Sequence, residues 1–179
     1  EFFEHGHLQH GMTLHEEILR VPLILAGPGV PARRLARPAM LCDVAPTLLA
    51  RLGLAPLEHA QGLDLLGPDW PARPIWAEVD DRFVHQYALR SEDGAKALHA
   101  PAERARMFPR PKAWEHYDLT QDPHETRDLW PAPALQLRRA LLERERARLE
   151  ELGASLGTAG SGALDDATED ELSGLGYND

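Results

Sequence analysis

The chain is nearly free of cysteine. Cys42 stands alone in 179 residues, which excludes an internal disulfide and the small loop-rich folds that disulfide frameworks hold together. No apolar run approaches the length of a bilayer-spanning helix, and no signal peptide stands at the start. Basic residues are outnumbered: 19 Lys and Arg face 29 Asp and Glu, a net charge of -10. Phosphate backbones and anionic bilayers are gripped by clustered Lys and Arg, so this balance argues against a nucleic-acid or anionic-membrane partner. It leaves room for a small anionic substrate, because a local cationic pocket can sit on an acidic protein. Internal repeats are missing too. The chain opens on Glu1-Phe2-Phe3-Glu4-His5-Gly6 rather than on Met, and this opening reads as the middle of a longer fold.

What is present has the composition of a globular protein, with 43% hydrophobic residues and enough length for one core or part of a larger one. Residues 1–12 are rich in Gly and His and read as a loop. Thr13-Leu14-His15-Glu16 has the spacing of a capping box, which predicts a short helix ending near Arg20. Val21-Pro22-Leu23-Ile24-Leu25-Ala26 is a continuous apolar run stopped by Gly27-Pro28-Gly29, the pattern of a strand buried on both faces. Ala39-Met40-Leu41-Cys42 is a second strand candidate, and Asp43 an N-cap for a helix over Val44 to Leu52 with Gly53 as its C′ residue. Leu48, Leu49 and Leu52 would form that helix's apolar face.

Turn-forming Gly and Pro crowd residues 54–73, with Pro74 just past them. Strands are expected near 74–79, 84–90 and 95–99, too close together for crossover helices and so antiparallel. His116-Tyr117-Asp118-Leu119 is a further strand end, and Gln121-Asp122-Pro123 a turn. Residues 134–152 read as a helix, with Leu135, Leu142 and Leu149 at heptad spacing. Residues 153–163 read as flexible, and Thr168 to Glu171 as a second capping box before a last short helix.

Four segments, in order, resemble one family. Glu4-His5-Gly6, then His10-Gly11-Met12-Thr13-Leu14-His15-Glu16-Glu17 and Val21-Pro22-Leu23-Ile24, are similar to the sulfatase stretch that follows a metal-binding Asp-His-Gly. Asp43-Val44-Ala45-Pro46-Thr47-Leu48-Leu49 with Gln61-Gly62 resembles the next sulfatase helix and turn. Tyr117-Asp118-Leu119 through Asp122-Pro123-His124-Glu125 and Asp128-Leu129 resembles the signature of the C-terminal subdomain. Glu171-Leu172-Ser173-Gly174-Leu175-Gly176-Tyr177 is like the ending of many bacterial members.

The resemblance implies an alkaline phosphatase-like α/β sandwich edge over residues 1–72, an antiparallel α+β subdomain with one long helix over 73–152, and a tail over 153–179. It implies hydrolysis of sulfate monoesters by a formylglycine nucleophile, made from Cys or Ser in Cys/Ser-x-Pro-x-Arg, together with calcium. That motif is absent here, Cys42 is followed by Asp43-Val44-Ala45, and the nucleophile and calcium ligands are expected upstream of Glu1. The expected partner is a small-molecule or carbohydrate sulfate ester. Two other readings stay open: a phosphate or phosphonate monoester hydrolase of the same superfamily, and a truncated non-catalytic module. Members are commonly periplasmic, secreted or membrane-tethered.

The resemblance points to His10 as the catalytic residue of this segment, where an imidazolium could donate to a sulfuryl oxygen or protonate the leaving alkoxide. Many members carry Lys one position later, where this chain has Gly11. His7 and Lys96, with Arg90 upstream, are candidate substrate-binding residues, although a surface strand lysine is the plainer reading of Lys96. His5, His7 and His10 together suggest a zinc site, but no nearby carboxylate or thiol completes it. His15, which replaces the family's Tyr, reads as helix surface or packing. Asp118, Asp122 and Glu125 read as turn chemistry.

Overall fold

The computed structural model describes every residue except 1, 9, 69, 81–82, 102–110, 132–135 and 157–179. Four strands, β1 (Ile75–Asp80), β2 (His85–Arg90), β3 (Ala95–His99) and β4 (Trp114–Asp118), form one sheet in the order β1-β2-β3-β4. Every neighbouring pair is antiparallel, with Ala77 opposite Ala88, Ala88 opposite Leu98 and Leu98 opposite Glu115. The short connection from β2 to β3 closes at Gly94, whose φ of 84° is the left-handed value glycine accepts without strain.

Side chains alternate across a strand, so the register sorts the sheet into two faces. One face carries Tyr87, Leu89, Ala97 and Trp114, packed with Leu142 and flanked by Trp76 and Trp130. Leu142 belongs to α3 (Gln136–Leu156) and is fully buried. Arg139, one turn before it, lies over the Trp114 ring at 5.0 Å. The opposite face carries Ala88, Leu98 and Tyr117, covered by Leu14 and Leu19. Both faces are therefore occupied, one by the long helix and the other by the segment around Thr13–Leu19. A small α+β fold results.

The antiparallel meander and the long helix stand where the pattern puts them, with α3 beginning at Gln136 and running to Leu156. Of the heptad positions, Leu142 is buried, Leu149 is half-buried and Leu135 lies outside the described residues. The expected tail helix lies outside the described residues. The chain divides into two units, Glu1–Glu143 and Arg144–Asp179. In the second, the described residues are the later turns of α3, with the surface pair Arg148–Glu145 at 2.6 Å.

Residues before the sheet depart from expectation. Val21 to Ala26 is irregular and largely exposed, with Val21 60% and Ile24 85% accessible. A strand exists only by hydrogen bonding to a neighbouring strand, and none lies beside this run among the described residues. The four strands of the meander are the strands described, so the sandwich edge expected over 1–72 is not formed by them. Ala39 to Cys42 is likewise no strand: Leu41–Asp43 is a 3-10 turn leading into α2 (Val44–Leu52).

Asp43 does not cap α2 with its side chain. Its carboxylate accepts the Met40 amide at 2.8 Å and the Leu63 amide at 2.9 Å, and it pairs with Arg73. Thr47 extends the same clasp, donating to the Asp43 carbonyl at 2.7 Å and accepting the Leu65 amide at 2.9 Å. A buried Asp43–Thr47 edge thus pins residues 61–65, while Leu48 and Leu52 stay exposed rather than forming the packed face expected of them. Gly53 ends α2 in the left-handed conformation, as its position suggests.

Candidate functional site

Two adjoining groups of polar residues with catalytic or ligand chemistry lie on the face of the sheet covered by residues 13–19. The main chain there is held by one side chain from the sheet and one from the loop after β4. The Leu14 amide donates to Gln86 Oε1 at 2.9 Å, and the Glu16 amide donates to Glu125 Oε2 at 2.5 Å. The second bond puts the Glu125 carboxylate at the N-terminus of α1 (Glu16–Leu19). His15 is the N-cap residue and makes no side-chain cap bond. The predicted capping box is therefore replaced, because Glu16 turns its carboxylate the other way.

That carboxylate enters a four-charge network. Glu16 Oε2 accepts from Arg90 at 3.1 Å and Glu16 Oε1 from the Lys96 ammonium at 3.1 Å, while Lys96 Nζ lies 2.8 Å from Glu125 Oε1. The Lys96 and Glu125 side chains are both 0% exposed. Two cations meet two carboxylates, so the buried charge is balanced within the cluster, the condition under which buried ions persist. Lys96 is thus neither a surface lysine nor a group at an open rim, because its ammonium is consumed by Glu16 and Glu125. The register explains this. Lys96 sits on the same sheet face as Leu98 and directly opposite Tyr117, beneath the covering segment.

Beside the network stands a second group. The His5 and His15 rings stack with centroids 3.7 Å apart and planes within 3°, and Tyr117 meets His15 edge-on at 5.8 Å. His5 Nδ1 lies 2.5 Å from Glu17 Oε1, and His5 Nε2 lies 3.1 Å from the Glu125 carbonyl oxygen. Burial works against charge on His5, but the Glu17 and Glu125 hydrogen bonds outweigh it and raise its pKa above the ordinary histidine value. Glu115 Oε2 stands 3.9 Å from His15 Nε2 and accepts the Tyr117 hydroxyl at 2.6 Å. Burial would raise the Glu115 carboxyl, but the His15 and Tyr117 interactions prevail and lower it. Burial and the facing Glu115 push the Tyr117 phenol well up.

Of the residues singled out from sequence, His10 is exposed, on the turn before buried Thr13, and His7 is half-buried in the same loop. The His cluster that forms is not the one the spacing suggested. His5 is joined by His15 and Glu17, not by His7 and His10, within ligand-atom separations of 4.8 Å. Asp118 and Asp122 do turn chemistry: Asp118 accepts the Thr120 amide at 3.0 Å and Asp122 the Arg127 amide at 2.8 Å. Glu125, three residues on, instead leaves the turn for the buried network. Its φ of 54° is a left-handed value uncommon for a non-glycine residue, and sequence alone carries no signal for it.

No family model matches the chain, and no curated protein matches it. Among solved structures it is similar to parts of two proteins from Bacteroides. BT4656, solved in complex with its substrate D-glucosamine-2-N,6-O-disulfate, aligns at 20% identity and a TM-score of 0.45, over 61% of this chain and 23% of its own. BT1596, a 2-O GAG sulfatase, aligns at 22% identity and a TM-score of 0.43, over 62% of this chain and 23% of its own. The alignment thus spans about a quarter of either protein's length.

Proposed function

We propose that this chain forms one wall of the active site of a sulfate monoester hydrolase, with His10 as the group that meets the sulfuryl ester. The observation that carries the reading is the ordered set of four sulfatase-like segments. The placement of the first is compatible with it: His10 is exposed while Thr13, Leu14 and His15, just after it, are buried. A side chain on an open turn beside an anchored segment can reach an ester without disturbing the core.

In this reading His10 in its imidazolium form donates a proton to the leaving alkoxide as the sulfur–oxygen bond breaks, or a hydrogen bond to a sulfuryl oxygen as charge builds there. His7, in the same loop, contributes to holding the substrate. Lys96 takes no direct part, and its role is to hold α1 and Glu125 in place. Calcium, which the resemblance implies, takes oxygen ligands. The one group of three possible ligands among the described residues offers two imidazole nitrogens and a single carboxylate, which does not fit it. In this reading that group does not hold the calcium, and, as the resemblance implies, calcium and the formylglycine nucleophile belong to residues upstream of Glu1.

The test is turnover by the protein of the complete reading frame, with 4-nitrophenyl sulfate and 4-nitrophenyl phosphate compared at equal concentration. The reading expects the sulfate ester to be preferred. It also expects His10→Ala to lower kcat on an alkyl sulfate by about 10²–10⁴-fold, the usual contribution of a positioned acid. Preference for phosphate would move the protein to the phosphomonoester reading. No turnover of either would leave a binding module.

A further inference from the structure

We infer that His5, His15 and Glu17 form a binding site for a divalent transition metal of the zinc class, a role that the sulfate-ester reading does not use. Each of the three offers one ligand atom, and these atoms lie within 4.8 Å of one another. Two imidazoles and one carboxylate with a remaining open position is a donor set that suits zinc and its neighbours, and not calcium or magnesium.

A second observation points to a ligand. His15 is 5% exposed, and neither of its ring nitrogens has a hydrogen-bond partner among the described residues. Buried imidazole nitrogens without partners are costly, and a metal ion is one of the few things that satisfies them. The surroundings are arranged as they are around metal-bound histidines. A carbonyl oxygen only accepts, so Nε2 of His5 carries its hydrogen toward Glu125 and leaves Nδ1, beside Glu17, as the ligand atom. Glu115, held by the Tyr117 hydroxyl, stands 3.9 Å from His15 Nε2, beyond hydrogen-bond reach, so it leaves that nitrogen unclaimed. Coordination through Nδ1 of His5 replaces the hydrogen bond that this nitrogen makes with Glu17.

Binding requires one movement. Rings stacked face to face cannot both aim an in-plane lone pair at one point, so the 3.7 Å stack must open by tilting one imidazole. His5 lies in the loop before α1 and Glu17 is at the surface, so these two groups can turn while His15 stays fixed.

The experiment is calorimetric titration of zinc chloride into the full chain after chelator treatment, with cobalt(II) absorption as a reporter of coordination. One ion per chain is expected, with an intense four-coordinate cobalt spectrum. Glu17→Gln and His15→Gln should each weaken zinc by at least about tenfold, as losses around a metal site do. His59→Ala, whose exposed ring lies 3.7 Å from Glu58, should bind as the parent does. Glu17 is at the surface, so Glu17→Gln keeps the fold, checked by its circular dichroism, and it decides the question if the buried variant fails to fold. Absence of stoichiometric zinc binding by the parent, or unchanged affinity in Glu17→Gln, overturns the site.

Discussion

Lys96→Met tests the buried network most severely. The substitution keeps a long side chain and removes only the ammonium. Glu125, 0% exposed, then faces an apolar tip in place of the cation 2.8 Å from its Oε1, and Glu16 keeps only Arg90. One negative charge is left buried without compensation. Breaking a buried pair by deleting one partner costs about 3–5 kcal/mol, several times more than losing a surface pair. At roughly 3 °C per kcal/mol for a chain of this size, the midpoint should fall by about 10–15 °C. The assay is urea unfolding followed by tryptophan fluorescence, with thermal melts beside it. Lys96→Met/Glu125→Gln should recover about half of the loss, because the stranded charge is gone while the new side-chain carbonyl can still accept the Glu16 amide. A loss below about 1 kcal/mol for the single variant would show that Lys96 reaches water, and the argument from burial would fail.

Other substitutions probe other joints. Gly62→Ala should destabilise by about 2 kcal/mol or more in the same urea assay, because an added Cβ would lie 1.8 Å from the Cys42 carbonyl oxygen. Leu142→Ala should cost about 2–5 kcal/mol by emptying the helix side of the core. His116 gives a pH dependence. Burial between Trp114 and Trp130 lowers its pKa to about 4, below the value of 6.5 it has when unfolded. Between those values the unfolded chain binds the extra proton, so stability is full above pH 6.5 and falls as pH drops toward 4, by about 3 kcal/mol in total. His116→Phe should remove that part of the slope when urea midpoints are compared at pH 7 and pH 4.5.

The sheet and long helix are legible because their signals are local. Strand-length segments joined by tight turns allow only antiparallel pairing, and a lone Leu142 stripe is enough to turn α3 toward the core. Val21 to Ala26 misleads because an apolar run specifies burial only when something is there to bury it, and periodicity carries no record of the neighbour. Lys96 misleads for the opposite reason. Its partners, Glu16 and Glu125, are brought to it by the packing of residues 13–19 over the sheet, and a charged residue in a strand otherwise reads as exposed. Asp43 likewise has the sequence position of a cap, yet Arg73, 30 residues on, draws its carboxylate across to the loop it pins. The histidine cluster is visible in the sequence as histidines but not as a group, because His15 reaches His5 only when Leu14 is seated in the core beside it.

The role of His10 is tested most directly by how its loss depends on the leaving group. An alkyl or sugar sulfate expels a strongly basic alkoxide that needs a proton as it departs, whereas 4-nitrophenolate departs without one. The measurement is kcat of the complete protein and its His10→Ala variant on both kinds of ester. A His10→Ala loss of about 100-fold or more on the alkyl sulfate, and a much smaller loss on 4-nitrophenyl sulfate, is the result predicted. Equal kcat for variant and parent on the alkyl sulfate, or no sulfate ester turned over at all, would contradict it.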